Sequence, residues 1–179
     1  MPAKVSIYIA TSLDGFIARS NGDIDWLHAI PNPSGEDYGY QHFIDSIDVI
    51  VMGRNTFETV LAFAEWPYTR RVIVLSSRPI EIPDRLPKNV EVRSARPREL
   101  IESLTNEGVT HIYVDGGVTL QRFLADECVD ELTITHIPIL LGDGLPLFGS
   151  INHDVQLEHL ETKTFSNGLV QSKYRVVKE

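Results

Sequence analysis

Polar turns rich in arginine, serine and glycine follow three short apolar runs in this sequence. The runs end at Met52, Leu75 and Val114. Arginine presents several N–H donors in a fixed geometry, and glycine lets a backbone approach a ligand closely. A helix N-terminus adds unpaired N–H groups and partial positive charge, so these turns together predict an anion site suited to a phosphorylated nucleotide. The candidate residues are Gly53, Arg54, Asn55, Thr56, Ser76, Ser77, Arg78, Gly116 and Gly117.

The elements that must position these turns are strands and helices in alternation. Short β-branched runs such as residues 49–52 and 71–75 are typical of strands buried on both faces. Asn55 followed by Glu58 predicts a helix start with an amide variant of the capping box. Strand, turn and helix in repeated order predict a parallel sheet, in which ligands bind at the carboxyl ends of the strands. We therefore expect the three turns to meet at one edge of the sheet.

The C-terminal part of the chain has a different pattern. Residues 155–164 and 169–177 both read as strands, and they flank Asn167–Gly168, a strong signal for a β-hairpin. We expect an α/β fold with a mostly parallel central sheet, helices on both faces and a C-terminal antiparallel hairpin. Since the sequence contains no obvious linker or internal repeat, residues 1–179 are predicted to form a single domain.

Composition excludes several classes of function. The formal net charge of -9 disfavours non-specific binding to nucleic acid or to an anionic membrane. The single cysteine, Cys128, excludes an intrachain disulfide and a cysteine-based zinc site. No signal-peptide pattern and no apolar run long enough to span a membrane are present, so we expect a cytoplasmic protein.

The motifs of several enzyme classes are absent from the sequence. There is no P-loop, no Gly-x-Gly-x-x-Gly after a strand, no nucleophile elbow and no His-Glu-x-x-His zinc motif, and we predict no metal site. Each turn also has a simpler interpretation when taken alone. Gly116–Gly117 could be only a tight turn, residues 76–79 only a solvated loop, and His136 only a structural histidine.

Five stretches resemble the dihydrofolate reductase superfamily, and in particular stand-alone relatives of the riboflavin-biosynthesis reductase domain. In chain order they are SLDGFIA (12–18), VMGRNTFE (51–58), VLSSRP (74–79), YVDGGVTLQRFL (113–124) and DELTITHIPILLGDGLPLF (130–148). The resemblance implies a three-layer αβα fold like that of dihydrofolate reductase. It also implies hydride transfer from NADPH to a small-molecule substrate, such as 5-amino-6-(5-phosphoribosylamino)uracil.

The resemblance also assigns the cofactor contacts. Arg54 and Thr56 match positions that hold the cofactor phosphates, while the loop 76–78 matches the one near the adenosine 2′-phosphate. Residues 115–119 match the pyrophosphate turn. The remaining matched contacts lie around the nicotinamide. The implied cofactor-binding residues are Ala10, Ile17, Ala18, Gly53, Arg54, Asn55, Thr56, Ser76, Ser77, Arg78, Asp115, Gly116, Gly117, Val118 and Thr119.

The substrate side separates two enzyme functions. In dihydrofolate reductases a carboxylate follows soon after a tryptophan that matches Trp26, but residues 27–33 contain no acid, and Glu36 and Asp37 would need a different path. A riboflavin-type reductase is therefore favoured over a dihydrofolate reductase or a reductase of another heterocycle, and a non-enzymatic nucleotide-binding protein is less favoured still. Asp14 is the expected catalytic residue and proton donor, with a water as the alternative. The predicted pocket residues are Trp26, Phe57, Leu61 and Thr135.

Riboflavin-type reductases are commonly dimers, so the resemblance also implies a homodimer. The alternating, apolar-rich segment 129–141 could be an edge strand that forms the dimer contact. The alternative is that this segment belongs to the core.

Overall fold

A computed structural model of the chain describes residues 1–178, which form ten strands and five helices. The strands are β1 (Lys4–Ser12), β2 (Phe16–Ala18), β3 (Val49–Gly53), β4 (Arg71–Leu75), β5 (Val90–Arg93), β6 (His111–Asp115), β7 (Glu131–Ile137), β8 (Leu145–Pro146), β9 (Leu157–Thr164) and β10 (Val170–Val176). The helices are α1 (Asp25–His28), α2 (Tyr40–Asp45), α3 (Arg54–Leu61), α4 (Pro97–Asn106) and α5 (Gly117–Ala125).

Eight of the strands form one sheet in the order β5-β4-β3-β6-β1-β7-β10-β9. Neighbours from β5 to β7 are parallel, whereas β10 pairs antiparallel with both β7 and β9. Strands β2 and β8 form a separate two-stranded sheet. The predicted α/β fold, with a mostly parallel sheet and a C-terminal antiparallel hairpin, is confirmed.

Helices cover both faces of the parallel part of the sheet. Successive side chains of a strand point to opposite faces, and in β3 the side chain of Val51 joins one core whereas that of Met52 joins the other. The first core packs under α4 and α5, through Leu104 and Phe123 among others. The second core packs under α2 and α3, so β3 is apolar at every position up to Gly53 because both of its faces are buried.

The start of α3 differs from the prediction. The helix begins at Arg54, and Gly53 precedes it as an N-cap that makes no side-chain capping bond. The predicted capping box of Asn55 and Glu58 is therefore wrong. Glu58 instead accepts a hydrogen bond from Arg54 Nε at 2.7 Å, one helical turn away. The first N–H groups of α3 consequently remain without a side-chain cap.

Strand β7 is an interior strand of the sheet, so the predicted edge strand within residues 129–141 is wrong. It pairs with β1 on one side and with β10 on the other. The hairpin causes this arrangement, because its second strand inserts next to β7 and leaves β9 at the edge. Within residues 1–178, none of the helices has the length and apolar character needed to cross a membrane.

Candidate functional site at the carboxyl edge of the sheet

The three polar turns lie side by side because the strands that precede them are neighbours in register. Gly53 of β3 pairs with Leu75 of β4, directly before the loop 76–78. Met52 pairs with Asp115 of β6, directly before the glycine pair. The sheet therefore brings the predicted anion-binding turns to one edge.

Two of these turns are in direct contact. A Cβ atom at Gly116 would lie 2.2 Å from Thr56 Oγ1, and one at Gly53 would lie 2.5 Å from Thr119 Oγ1. Both distances are too short for any real side chain, so each glycine lets a threonine of the other turn approach. Gly116 also has φ of +92°, which L-residues rarely adopt. The glycine pair is thus part of a joint between two turns as well as a turn in its own right.

Two helix N-termini open onto this joint. Neither α3 nor α5 has a side-chain cap, so their first backbone N–H groups are available to an anion. The guanidinium of Arg54 lies exposed beside them, with one of its N–H groups bound to Glu58. Thr119 is buried in the joint, whereas Val118 is exposed. This donor set fits the phosphates of a dinucleotide.

The loop after β4 presents a second arginine. Ser76 Oγ donates to the carbonyl of Arg78 at 2.8 Å and accepts from Arg78 N–H at 3.1 Å. These bonds fix the loop backbone, while Ser77 and the side chain of Arg78 are exposed. The arrangement fits recognition of an additional phosphate group at some distance from the glycine joint.

The segment around β2 reaches the same edge from the other side. Ile17 Cδ1 lies 2.9 Å from the position of a Cβ at Gly117. Ala18 is buried, and Ala10 lines a cavity next to this segment. The residues assigned to the nicotinamide by resemblance are therefore next to those assigned to the pyrophosphate.

Asp14 has a structural environment that a proton donor would not need. Its carboxylate accepts hydrogen bonds from Ser12 Oγ at 2.6 Å and from the backbone N–H groups of Leu141 and Gly142 at 3.1 and 2.8 Å. The bond from Ser12, reinforced by the backbone donors, lowers the pKa of this carboxyl. Asp14 is thus ionised at neutral pH and fastens residues 141–142 to the loop after β1. A role of Asp14 as proton donor stays a prediction.

A cavity of about 490 Å³ opens beside β1 and β7. This volume suits a small-molecule ligand. Thr135 lines it directly opposite its register partner Ala10. Trp26 is buried behind the lining residues Ile137 and Leu169.

The other two predicted pocket residues lie in the second core. Phe57 is fully buried and makes an edge-on contact with Trp66, with 6.0 Å between the ring centroids. Leu61 is half-buried against the same core. A direct contact of either residue with substrate stays a prediction.

A polar network that the sequence did not reveal forms the inner wall of the cavity. The amide nitrogen of Gln171 lies 3.0 Å from Thr135 Oγ1, from Tyr8 Oη and from the carbonyl of Tyr38. Tyr8 Oη also donates to that carbonyl. In the sequence, Gln171 is only a polar residue in the second strand of the predicted hairpin. In the structure, it is buried because it pairs with Thr135 of β7.

Asp115 connects the glycine joint to the tyrosine-rich face of the sheet. Its carboxyl group accepts a hydrogen bond from Tyr68 Oη at 3.3 Å. Burial raises the pKa of Asp115, because desolvation disfavours the charged form. The same burial raises the pKa of Tyr40 to about 12. The resemblance assigned Asp115 to the cofactor-binding residues, and the structure adds that its carboxyl group is buried with a raised pKa.

The indole N–H of Trp26 is buried without a hydrogen-bond partner among residues 1–178. A buried donor that stays unpaired costs about 1–3 kcal/mol. The Trp26 ring packs against Ile137 and Leu169 of the cavity wall. An acceptor from water or ligand would therefore stabilise this part of the site.

Comparison with known proteins agrees with this architecture. Residues 3–171 match the family described as the RibD C-terminal domain. A relative from Bacillus subtilis (strain 168), the Uncharacterized protein YwjB, is 33% identical over 172 residues, which cover 94% of this chain and 96% of that protein.

Solved structures show the same fold. The Putative riboflavin biosynthesis protein from Shewanella sp. PV-4 has a TM-score of 0.93 and 38% identity, over 99% of this chain and 100% of that chain. Dihydrofolate reductase from Enterococcus faecalis, complexed with NADP(H), has a TM-score of 0.65 and 20% identity, over 98% of this chain and 97% of that chain. The fold is therefore dihydrofolate-reductase-like, and this chain belongs to the RibD C-terminal domain family.

Proposed function

We propose that this protein is an NADPH-dependent reductase of the riboflavin-biosynthesis type, which reduces a small heterocyclic substrate. The observation that carries the proposal is the joint between the β3–α3 and β6–α5 turns, where two uncapped helix N-termini and Arg54 converge. Membership of the RibD C-terminal domain family supports it. The likeness to an NADP(H)-bound dihydrofolate reductase supports the choice of cofactor.

The residues divide the cofactor between two arginines. Arg54 and the N–H groups of the glycine joint would hold the pyrophosphate, since charge-assisted bonds to phosphate are the strongest available here. Arg78, on the loop fixed by Ser76, would bind the 2′-phosphate and so select NADPH over NADH. NADPH, when bound, supplies the hydride.

The cavity beside β1 and β7 is the proposed substrate site. Ala10 and Thr135, which are register partners on β1 and β7, would place backbone and a hydroxyl next to the substrate. Thr135 Oγ1 accepts from Gln171 and keeps its own proton free to donate to a substrate or to a water. Asp14 holds the loop at residues 141–142, and a water delivers the proton.

The test is a reductase assay on the purified protein. NADPH oxidation is followed by absorbance with 5-amino-6-(5-phosphoribosylamino)uracil, with its unphosphorylated riboside and with dihydrofolate, each against a reaction without protein. Turnover of either aminopyrimidine supports the riboflavin-type reading. Turnover of dihydrofolate alone would select the other reductase class, and failure to bind NADPH at all would refute the proposal.

The assembly and location of the protein also remain proposals. We propose a homodimer in the cytoplasm, as the resemblance implies. With β7 in the interior, the edge strands of the sheet are β5 and β9, and we propose β9, whose side chains are mostly exposed, as the strand that a partner extends. Light scattering on the purified chain measures the assembly directly, and a monomeric mass at micromolar concentration would contradict the dimer.

A further inference from the structure

The cavity beside β1 and β7 has an acidic mouth. Asp37 is one of its lining residues, although it lies beyond the segment after Trp26 in which the sequence was searched for an acid. Asn32 turns the chain back on itself by bonding the backbone N–H and carbonyl of Glu36 through its side chain. The loop before α2 therefore brings a carboxylate to the cavity by a path that the sequence did not reveal.

The Asp37 carboxylate is held in its charged form. One oxygen accepts from Gly39 N–H at 2.9 Å and the other from Gln41 N–H at 3.0 Å. These backbone donors lower the pKa of Asp37. Each oxygen keeps a further lone pair for a ligand. The negative charge at the mouth is therefore a fixed property of the folded loop.

The negative charges of this loop act on Tyr8, which lines the cavity. Burial raises the pKa of Tyr8, and the charges of Asp37 and Glu36 raise it further, against the lowering effect of the bond from Gln171. Both carboxylates therefore lie close enough to Tyr8 to act on its hydroxyl. Among residues 1–178, the lining of this cavity includes no lysine and no arginine, and its basic side chain is that of His28.

The walls of the cavity are aromatic. Tyr8, Tyr38 and Tyr40 all line it, and Tyr8 is held by stacking on Phe43 with 4.6 Å between the ring centroids. Tyr38 packs edge-on against Phe165 at 4.9 Å. Rings fixed in this way offer flat apolar surface to a planar ligand, with hydroxyl groups at its rim.

We propose that this cavity binds an aromatic heterocycle that carries no phosphate group. The inference rests on the proposed function, because it concerns the substrate of the same site. The arginines suited to phosphate follow β3 and β4, whereas the cavity lies along β1 and β7, separated from β3 by β6. A substrate phosphate in this cavity would instead lie near the carboxylate of Asp37. Like charges that approach within a few ångströms repel.

The test uses one pair of probes that differ only in the phosphate. The protein is saturated with NADP⁺, which has no hydride to transfer, and is titrated by calorimetry with 5-amino-6-ribosylaminouracil and with its 5′-phosphate. We expect the riboside to bind at least about tenfold more tightly, which corresponds to about 1.4 kcal/mol. Higher salt should narrow this difference because it screens the repulsion.

Two variants assign the difference to the loop. Asp37→Asn should reduce the ratio of riboside affinity to 5′-phosphate affinity severalfold, whereas the control Glu102→Gln should leave this ratio unchanged. Glu102 is an exposed acid on α4, which packs on the first core at the opposite face of the sheet. If Asp37→Asn does not fold, the effect of salt on the two affinities of the unmodified protein still shows whether the preference for the riboside is electrostatic.

The outcomes separate the two proposals. Equal or tighter binding of the 5′-phosphate overturns the inference, and so does binding of neither probe to a protein that binds NADPH. Failure to bind NADPH refutes the proposed function instead. In that case the two probes are titrated into the protein without cofactor. Tighter binding of the riboside supports the inference, and equal or tighter binding of the 5′-phosphate overturns it.

Discussion

Replacing Gly116 with alanine tests whether the joint between the two turns organises the site. The new Cβ would lie 2.2 Å from Thr56 Oγ1, and the backbone there has φ of +92°. The steric conflict resembles overpacking of a core, which costs about 1–3 kcal/mol. The backbone conformation adds about 1–3 kcal/mol for a residue with a side chain. We therefore expect a loss of about 2–6 kcal/mol in the free energy of unfolding.

Two other glycines separate these contributions. Gly108 has a similar φ of +88° but open space around a Cβ, so Gly108→Ala reports the backbone effect alone. Gly53 has an ordinary φ of -83°, and its Cβ would lie 2.5 Å from Thr119 Oγ1, so Gly53→Ala reports the steric effect alone. Gly116→Ala should be more damaging than either variant.

Urea denaturation measures all three variants against the unmodified protein. A second substitution, Thr56→Ala, removes the hydroxyl that the new methyl group meets. It should recover part of the stability lost in Gly116→Ala and none of the stability lost in Gly108→Ala. If Gly116→Ala costs no more than Gly108→Ala, or if Thr56→Ala gives no recovery, the reasoning about contact between the turns is refuted.

Three further predictions concern the arginines and the perturbed carboxyls. Arg54→Ala should weaken the binding of NADPH and of NADH by about 1.5–3 kcal/mol, whereas Arg78→Ala should weaken the binding of NADPH alone. Calorimetry measures the affinity of each variant for each cofactor. If Arg78→Ala weakens NADPH and NADH equally, the assignment of Arg78 to the 2′-phosphate is contradicted. Glu107→Gln should lower the free energy of unfolding at pH values above 4.5, because Arg93 and Arg71 hold the charged form of Glu107 in the native protein. The unmodified protein should lose this advantage as the pH falls through the native pKa of about 2. A difference in unfolding free energy that stays constant across this pH range would count against the prediction. The unmodified protein should lose stability relative to Asp115→Asn as the pH rises above the ordinary carboxyl range. Burial raises the native pKa of Asp115, so its ionisation at higher pH destabilises the folded state. A stability difference that does not change with pH would show that Asp115 is not desolvated.

The parts of the fold that the sequence predicted are those in which local pattern and burial agree. Residues 71–75 and 97–106 have the predicted bounds, because the first has four apolar residues after Arg71 and the second begins with proline and has one apolar face. The hairpin at Asn167–Gly168 was equally local, and Gly168 adopts φ of +91° there.

The errors came from features that depend on distant parts of the chain. Nothing near residues 131–137 shows that β10 inserts beside them, so the sequence left open whether this segment is an edge strand or part of the core. The Asn55–Glu58 spacing was compatible with a cap, but the turn is set by Gly53 and its contact with Thr119. Helix α3 therefore starts earlier and remains uncapped.

The same distinction applies to the candidate site. The turns followed from short motifs, since register alone brings neighbouring strand ends together. Apart from Thr135, the lining of the cavity could not be predicted, because residues such as Tyr8, Asp37 and Leu169 come from three separate parts of the chain. The path that brings Asp37 to the cavity depends on side-chain bonds within its own loop, which leave no periodic signal in the sequence.

The most direct measurement of the central claim is the affinity of the purified protein for NADPH and for NADH. Nicotinamide fluorescence follows each titration, with the control variant Arg98→Ala, which removes an exposed arginine on α4. The account predicts that NADPH binds clearly more tightly than NADH, that Arg78→Ala abolishes this preference, and that Arg98→Ala retains it. Binding of neither cofactor, or a preference that survives without Arg78, would contradict the assignment of the strand-end turns to NADPH.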